Sequence, residues 1–157
     1  MRLNFAVVTV SSSKAIDDDM SGKAIKELIG SDAHSVLFHV VVHDDRRMIL
    51  SIVKKFCRDP NIDVVITNGG TGISGSDVTI EAVRPLFEKE LAGFNPLFMQ
   101  LSFSSIGPAA YLSRATAGIV GKKAVFCLPG SPRACRLAME NLIMPEAGHI
   151  ITHLGER

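Results

Sequence analysis

Almost no net charge marks this sequence: 17 lysines and arginines stand against 16 aspartates and glutamates, giving +1 at neutral pH. Nucleic-acid binding normally draws on a clustered basic face that releases counterions from phosphates, so no nucleic-acid partner is expected. Cysteine is equally scarce. Cys57, Cys127 and Cys135 are odd in number and widely spaced, which excludes a disulfide framework and a CxxC metal knuckle and leaves reduced, buried thiols. No apolar run approaches the roughly 18 residues of a spanning helix, and the first ten residues lack a signal-peptide cleavage site, so no membrane is involved and a cytoplasmic location is expected. Internal repeats, low-complexity tracts and linkers are missing too. Residues 1–157 should therefore form a single domain, with 46% apolar residues to fill one core and no tryptophan among them.

What is present alternates strand with helix. Residues 3–10 are apolar and β-rich and empty into Ser11, Ser12 and Ser13. Ser21 can cap a helix running to Ile29, stopped by Gly30. Residues 35–42 read as a strand covered on both faces, followed by Asp44, Asp45 and a helix ending near Pro60. Residues 64–67 form a third buried strand. Asp77 or Thr79 can cap the next helix, which Gly93 and Pro96 close, and residues 97–110 are only weakly helical. Residues 117–120 and 123–128 read as two strands divided by Gly121, and Pro132 opens a final helix. The fold class is α/β, with helices on both sides of a parallel sheet.

Open parallel sheets bind ligands beyond the carboxyl ends of their strands. Four polar loops fall at such ends: residues 11–13, Asp44 with Asp45, residues 69–77, and residues 129–132. Each has an ordinary structural use as a turn or cap, and their coincidence is the signal. Gly70, Gly72 and Gly75 satisfy GxGxxG, but they follow a third strand and no acidic residue ends a strand about 20 positions later, so a dinucleotide site does not fit. A Walker A loop fails for want of Gly-Lys-Ser or Gly-Lys-Thr. What remains is a nest of backbone N–H groups suited to phosphate. Asp44 and Asp77 beside a polyphosphate would call for Mg²⁺, which takes carboxylate and phosphate oxygens; as plain N-caps they would each contribute about 1 kcal/mol. The five histidines lack zinc spacing, and Arg114, preceded by Ser113, could pair with phosphate.

Together these segments resemble the molybdopterin-adenylyltransferase family that includes bacterial MogA and MoaB. Thr67-Asn68-Gly69-Gly70-Thr71-Gly72 with Asp77-Val78-Thr79 and Glu81-Ala82 is the most specific segment. Leu101-Ser102-Phe103, Ile106-Gly107, Leu112-Ser113-Arg114, Ala117-Gly118 and Pro129-Gly130-Ser131-Pro132 are similar to further family blocks in the same order, so the resemblance runs to about Leu142. It implies a three-layer α/β/α sandwich with a mostly parallel central sheet, usually trimeric or a dimer of trimers. It also implies Mg-ATP-dependent joining of AMP to molybdopterin with release of pyrophosphate, in molybdenum or tungsten cofactor biosynthesis, and other enzymes of that pathway as partners. By position, Asp44 and Asp77 match the family's catalytic, metal-holding carboxylates, with Asp45 an alternative for the first. Ser11, Ser12, Gly69, Gly70, Thr71, Gly72, Ser104, Ser105, Ser113, Arg114, Gly130, Ser131 and Pro132 match positions that hold nucleotide and pterin phosphates. His43 stands where many relatives carry proline. A pyrophosphatase of the competence-damage-inducible type and a non-catalytic molybdopterin carrier are the alternatives, and the apolar residues of 97–110 are the expected self-association surface.

Overall fold

The computed structural model describes residues 1–156. Its chain runs β1 (Asn4–Val10), α1 (Met20–Ser31), β2 (Ser35–Val42), α2 (Arg46–Arg58), β3 (Val64–Asn68), α3 (Thr79–Val83), β4 (Lys89–Glu90), α4 (Phe94–Ile106), β5 (Thr116–Val120), β6 (Lys123–Leu128), α5 (Pro132–Ala138) and α6 (Met144–Gly155), with a π-helical turn, Met139–Ile143, joining the last two. The six strands form one sheet in the order β2-β1-β3-β6-β5-β4. β2, β1, β3 and β6 are mutually parallel, while β5 and β4 add antiparallel pairings at the far edge.

Strand alternation makes the three layers. In β1, Phe5 and Val7 point into a core shared with Ile25 and Ile29 of α1, Phe98 of α4 and Cys135 of α5, whereas Ala6, Val8 and Val10 point into a second core with Ile49, Val53 and Phe56 of α2 and Ile80 of α3. β3 and β6 divide the same way. The near-continuous apolar character of these strands is what two-sided burial demands. Phe94 sits edge-on to Phe126 at 5.3 Å between ring centroids and stacks on Phe98 at 6.4 Å, which anchors α4 to the sheet.

Several expectations need correction. β2 is not covered on both faces: it is the sheet's edge strand, and Leu37 and Phe38 remain exposed. The cap of α1 is Asp19, whose carboxylate accepts from the Gly22 amide, so Ser21 lies inside the helix, which continues past Gly30. Gly93 and Pro96 begin α4 rather than ending the preceding element; Gly93 is its N-cap and Pro96 fits the first turn, where no intrahelical N–H is needed. Residues 97–106 thus lie in a regular helix, and residues 107–110 open the 3-10 segment Gly107–Leu112. α5 is not the final helix, since α6 follows it. Among the described residues no helix is long and apolar enough to cross a membrane.

Candidate functional site

Because β1, β2, β3 and β6 are parallel, Val10, Val42, Asn68 and Leu128 all end at one edge of the sheet. β2 lies on one side of β1 and β3 on the other, so the crevice opens where the strand order reverses. The loops after all four strands meet there.

The glycine loop turns sharply out of β3. Gly69 (φ 96°) and Gly70 (φ 70°) are left-handed, and a Cβ would drive the first into the Val10 carbonyl oxygen and the second into Oγ1 of Thr79. The Gly69 amide donates to the Leu128 carbonyl at 3.0 Å, and Thr79 Oγ1 donates to the Gly69 carbonyl at 2.9 Å. Thr79 therefore ties the loop rather than capping α3. A Cβ on Gly130 would lie 3.3 Å from the Gly69 Cα, so at this point the two loops meet through glycine backbone.

Asp44 and Asp77 stand on loops of the same edge. Asp45, not Asp44, caps α2 by accepting from the Met48 amide at 2.9 Å. That leaves Asp44 turned to the first loop, where Ser12 Oγ donates to its Oδ2 at 2.9 Å. Asp77 does not cap α3 either: its Oδ2 accepts from the amide and the hydroxyl of Ser74 at 3.0 and 2.8 Å. Both carboxylates are half-buried, and neither Oδ1 takes a hydrogen bond from the described residues. Among the described residues no three His, Cys, Asp or Glu side chains gather as a metal cluster. The donor set nonetheless suits Mg²⁺, which takes one or two carboxylates and completes its shell from phosphate oxygens and water.

Other expected site residues scatter. Ser113, Gly130 and Ser131 line a cleft of about 140 Å³ with Phe98, Ser102 and Arg133, and Ser131 caps α5 through the Ala134 amide with Pro132 in its first turn. Ser105 accepts from Arg133 Nη1 at 3.2 Å. Ser104 lies in a separate depression with Gln100 and Asn141 and donates to the Gln100 carbonyl, so it is not part of the crevice. The Arg114 guanidinium grips Glu81 at 2.6 and 2.9 Å and the carbonyls of Thr71 and Gly72 at 3.0 and 3.2 Å, so its donors are engaged by its own chain.

Beneath the crevice lies a buried polar network that the sequence reading did not assemble. Asp19, fully buried, faces His39 Nε2 at 2.7 Å and accepts from Thr9 Oγ1 and from the Gly22 amide at 2.9 Å. Thr9 Oγ1 in turn accepts from Asn68 Nδ2 at 3.0 Å, and Ser21 Oγ donates to Asn68 Oδ1 at 2.8 Å while lying 3.0 Å from Asp19 Oδ1. Burial pushes the Asp19 carboxyl pKa up, but hydrogen bonds from Thr9, Gly22, His39 and Ser21 outweigh it and hold the group below the usual aspartate value. The network joins β1, β2, β3 and α1 at the root of the glycine loop. Polar Thr9, His39 and Asn68 interrupting apolar strands were the available signal.

Residues 6–149 match the family described as "Probable molybdopterin binding domain". The chain belongs to this family. It is 46% identical to the molybdenum cofactor biosynthesis protein B of Bacillus cereus over 149 residues, covering 94% of this chain and 88% of that relative. A crystal structure of a molybdenum cofactor biosynthesis protein B superposes with a TM-score of 0.97 at 43% identity, covering 100% of this chain and 98% of the other. The tungsten cofactor synthesizing protein MoaB from Pyrococcus furiosus superposes with a TM-score of 0.88 at 38% identity, covering 99% and 98%. The edge-on crevice described above is thus set in a MoaB-type fold, within a family of molybdenum and tungsten cofactor biosynthesis proteins.

Proposed function

We propose that this protein adenylylates molybdopterin with Mg-ATP and releases pyrophosphate. One observation carries the reading: two glycine loops touching without side chains, Gly69 and Gly130, lie at the same sheet edge as Asp44 and Asp77. Bare backbone at the switch point lets a phosphate approach N–H groups closely, and carboxylates beside it favour a cation shared with that phosphate.

The chemistry suits this equipment. A terminal phosphate oxygen of molybdopterin attacks the α-phosphorus of ATP; the new P–O bond forms as the bond to the bridging oxygen breaks, and its electron pair leaves with pyrophosphate. The attacking oxygen is already anionic near neutral pH, so no strong general base is required. The difficulty is to hold two anions in line. Mg²⁺, when bound, supplies charge neutralisation on the phosphates. Asp44 and Asp77 would hold it, the amides of residues 70–72 and the Ser131 hydroxyl would orient the phosphates, and Ser11 with Ser12 would form the opposite wall.

The test is incubation of purified protein with molybdopterin and Mg-ATP while following adenylyl product and pyrophosphate. Stoichiometric pyrophosphate release supports the enzyme. Tight molybdopterin binding without product would make the chain a carrier.

Self-association belongs to the same proposal. Phe103 is 61% and Tyr111 74% exposed, and with Met99, Pro108 and Ala110 they line an apolar groove of about 290 Å³. Such a patch on α4 and the segment after it fits a contact between copies, with a trimer expected from the family resemblance. Light scattering that returned a monomer at micromolar concentration would refute it.

A further inference from the structure

We propose that Arg114 is a positioning residue for Asp77, acting through the backbone of the glycine loop; the catalytic side of this rests on the adenylyl-transfer reading. The segment before β5 places its guanidinium against the loop from outside. Nε donates to the Thr71 carbonyl at 3.0 Å and the Gly72 carbonyl at 3.2 Å, Nη1 and Nη2 take both oxygens of Glu81 at 2.6 and 2.9 Å, and Nη2 reaches the Asp77 carbonyl at 3.5 Å. The Arg114 amide adds a further bond to the Thr71 carbonyl at 3.0 Å. One side chain thus fixes both sides of the 71–77 loop and the first turn of α3, which begins two residues after Asp77.

That arrangement has a purpose beyond fastening a loop. Residues 73–76 are exposed, and the described hydrogen bonds within the loop join Ser74 to Asp77 in both directions and the Ser74 hydroxyl to that of Ser76 at 3.0 Å. Thr79 ties the far end of the loop to the end of β3, its amide donating to the Gly70 carbonyl at 3.1 Å and its hydroxyl to that of Gly69 at 2.9 Å. Arg114 supplies the side-chain hold on the loop itself, since it connects Thr71, Gly72, Asp77 and Glu81 to the chain entering β5. Only a planar fork reaches carbonyls and a bidentate carboxylate together; a lysine ammonium cannot. Loss of the fork would free the Asp77 carboxylate to wander from its partner across the crevice without altering the glycine backbone that receives the other substrate.

The experiment compares wild type, Arg114→Lys and Glu81→Gln in two readouts. Amide hydrogen exchange at Ser74, Asp77 and Thr79 should speed at least tenfold in both variants, with amides of β1 and β3 unchanged. Unchanged exchange at those three amides, or acceleration spread evenly over the chain, would overturn the proposal. In the second readout, the Mg²⁺ concentration for half-maximal adenylyl transfer should rise at least fivefold in Arg114→Lys, with KM for molybdopterin unaltered. A raised KM with an unaltered Mg²⁺ requirement would make Arg114 a direct phosphate contact and overturn it equally. A wild-type protein with no transfer activity would refute the proposed function, while the exchange measurement still decides whether Arg114 holds the loop.

Discussion

Gly72 and Asp77 are packed so closely that a Cβ on Gly72 would sit 2.6 Å from Oδ2 of the Asp77 carboxylate. Gly72 is not one of the left-handed glycines, which are Gly69, Gly70, Gly107 and Gly121. Its lack of a side chain makes room for a carboxylate rather than for a turn.

That relationship separates two glycine variants. Gly72→Ala should displace the Asp77 carboxylate and slow adenylyl transfer at least about tenfold while barely moving the thermal midpoint. Gly69→Ala must place a Cβ against the Val10 carbonyl at positive φ, and should cost about 1–3 kcal/mol of stability. Thermal melts and single-turnover rates on both would settle it. Equal loss of stability in the two would sink the distinction.

Asp77→Asn tests the carboxylate itself. Asn keeps an oxygen for Ser74 and a similar size but loses the charge, so the fold should survive. The rate of pyrophosphate release at saturating Mg-ATP should fall at least about a hundredfold. Asp44→Asn should behave alike, and the double variant should lose less than the product of the two if one cation connects them. Near wild-type turnover in Asp77→Asn would return the residue to a structural role.

The buried Asp19 should control acid stability. Its pKa is held below the usual aspartate value of about 3.9, so its contribution is complete above that value and is lost as pH falls through the lower, folded one. Asp19→Asn, which leaves His39 facing a neutral amide, should cost about 3 kcal/mol at pH 7. The gap between variant and wild type should narrow below about pH 4. Urea unfolding at pH 7 and pH 3 provides the comparison, and a gap that stays constant would refute the linkage.

Burial pushes the Cys127 and Cys135 thiols up to about 12 and that of Cys57 up to about 11. Only thiolates react with maleimides, so the folded protein at pH 7.5 should keep Cys127 and Cys135 unlabelled, and Cys57 should label a hundredfold or more slowly than a free thiol. Mass spectrometry before and after unfolding checks this. Rapid labelling of Cys135 in the folded state would contradict the packing of α5.

Much of the sheet was legible because two-sided burial writes a mostly apolar run, as in residues 3–10 and 123–128. β2 carries the same run yet lies at an edge, since hydropathy reports how apolar a strand is and not which neighbours it finds. α4 defied periodicity because Leu97, Phe103 and Ile106 face outward while Phe94, Phe98 and Ser102 face inward, so apolar residues surround the helix. In the site, the glycine loop's place at the end of β3 was readable from local spacing. Arg114 and Glu81 are 33 positions apart, and Thr9, Asp19, His39 and Asn68 come from four segments. Only folding brings such groups together.

The contact between the Gly69 and Gly130 loops also sets an order for biosynthesis. β3 leaves the ribosome about 60 residues before β6, its neighbour in the middle of the sheet. At about 5–20 residues per second, the nascent chain spends several seconds with the far edge of β3 unpaired and apolar. The hairpin of β5 and β6 can form locally and dock as a unit, so the segment that carries these two strands closes the sheet. Until then the Gly69 amide lacks its Leu128 acceptor. A chain released early would therefore be both ligand-incompetent and prone to edge-to-edge aggregation, which makes chaperone dependence greatest for truncations that stop just short of β6.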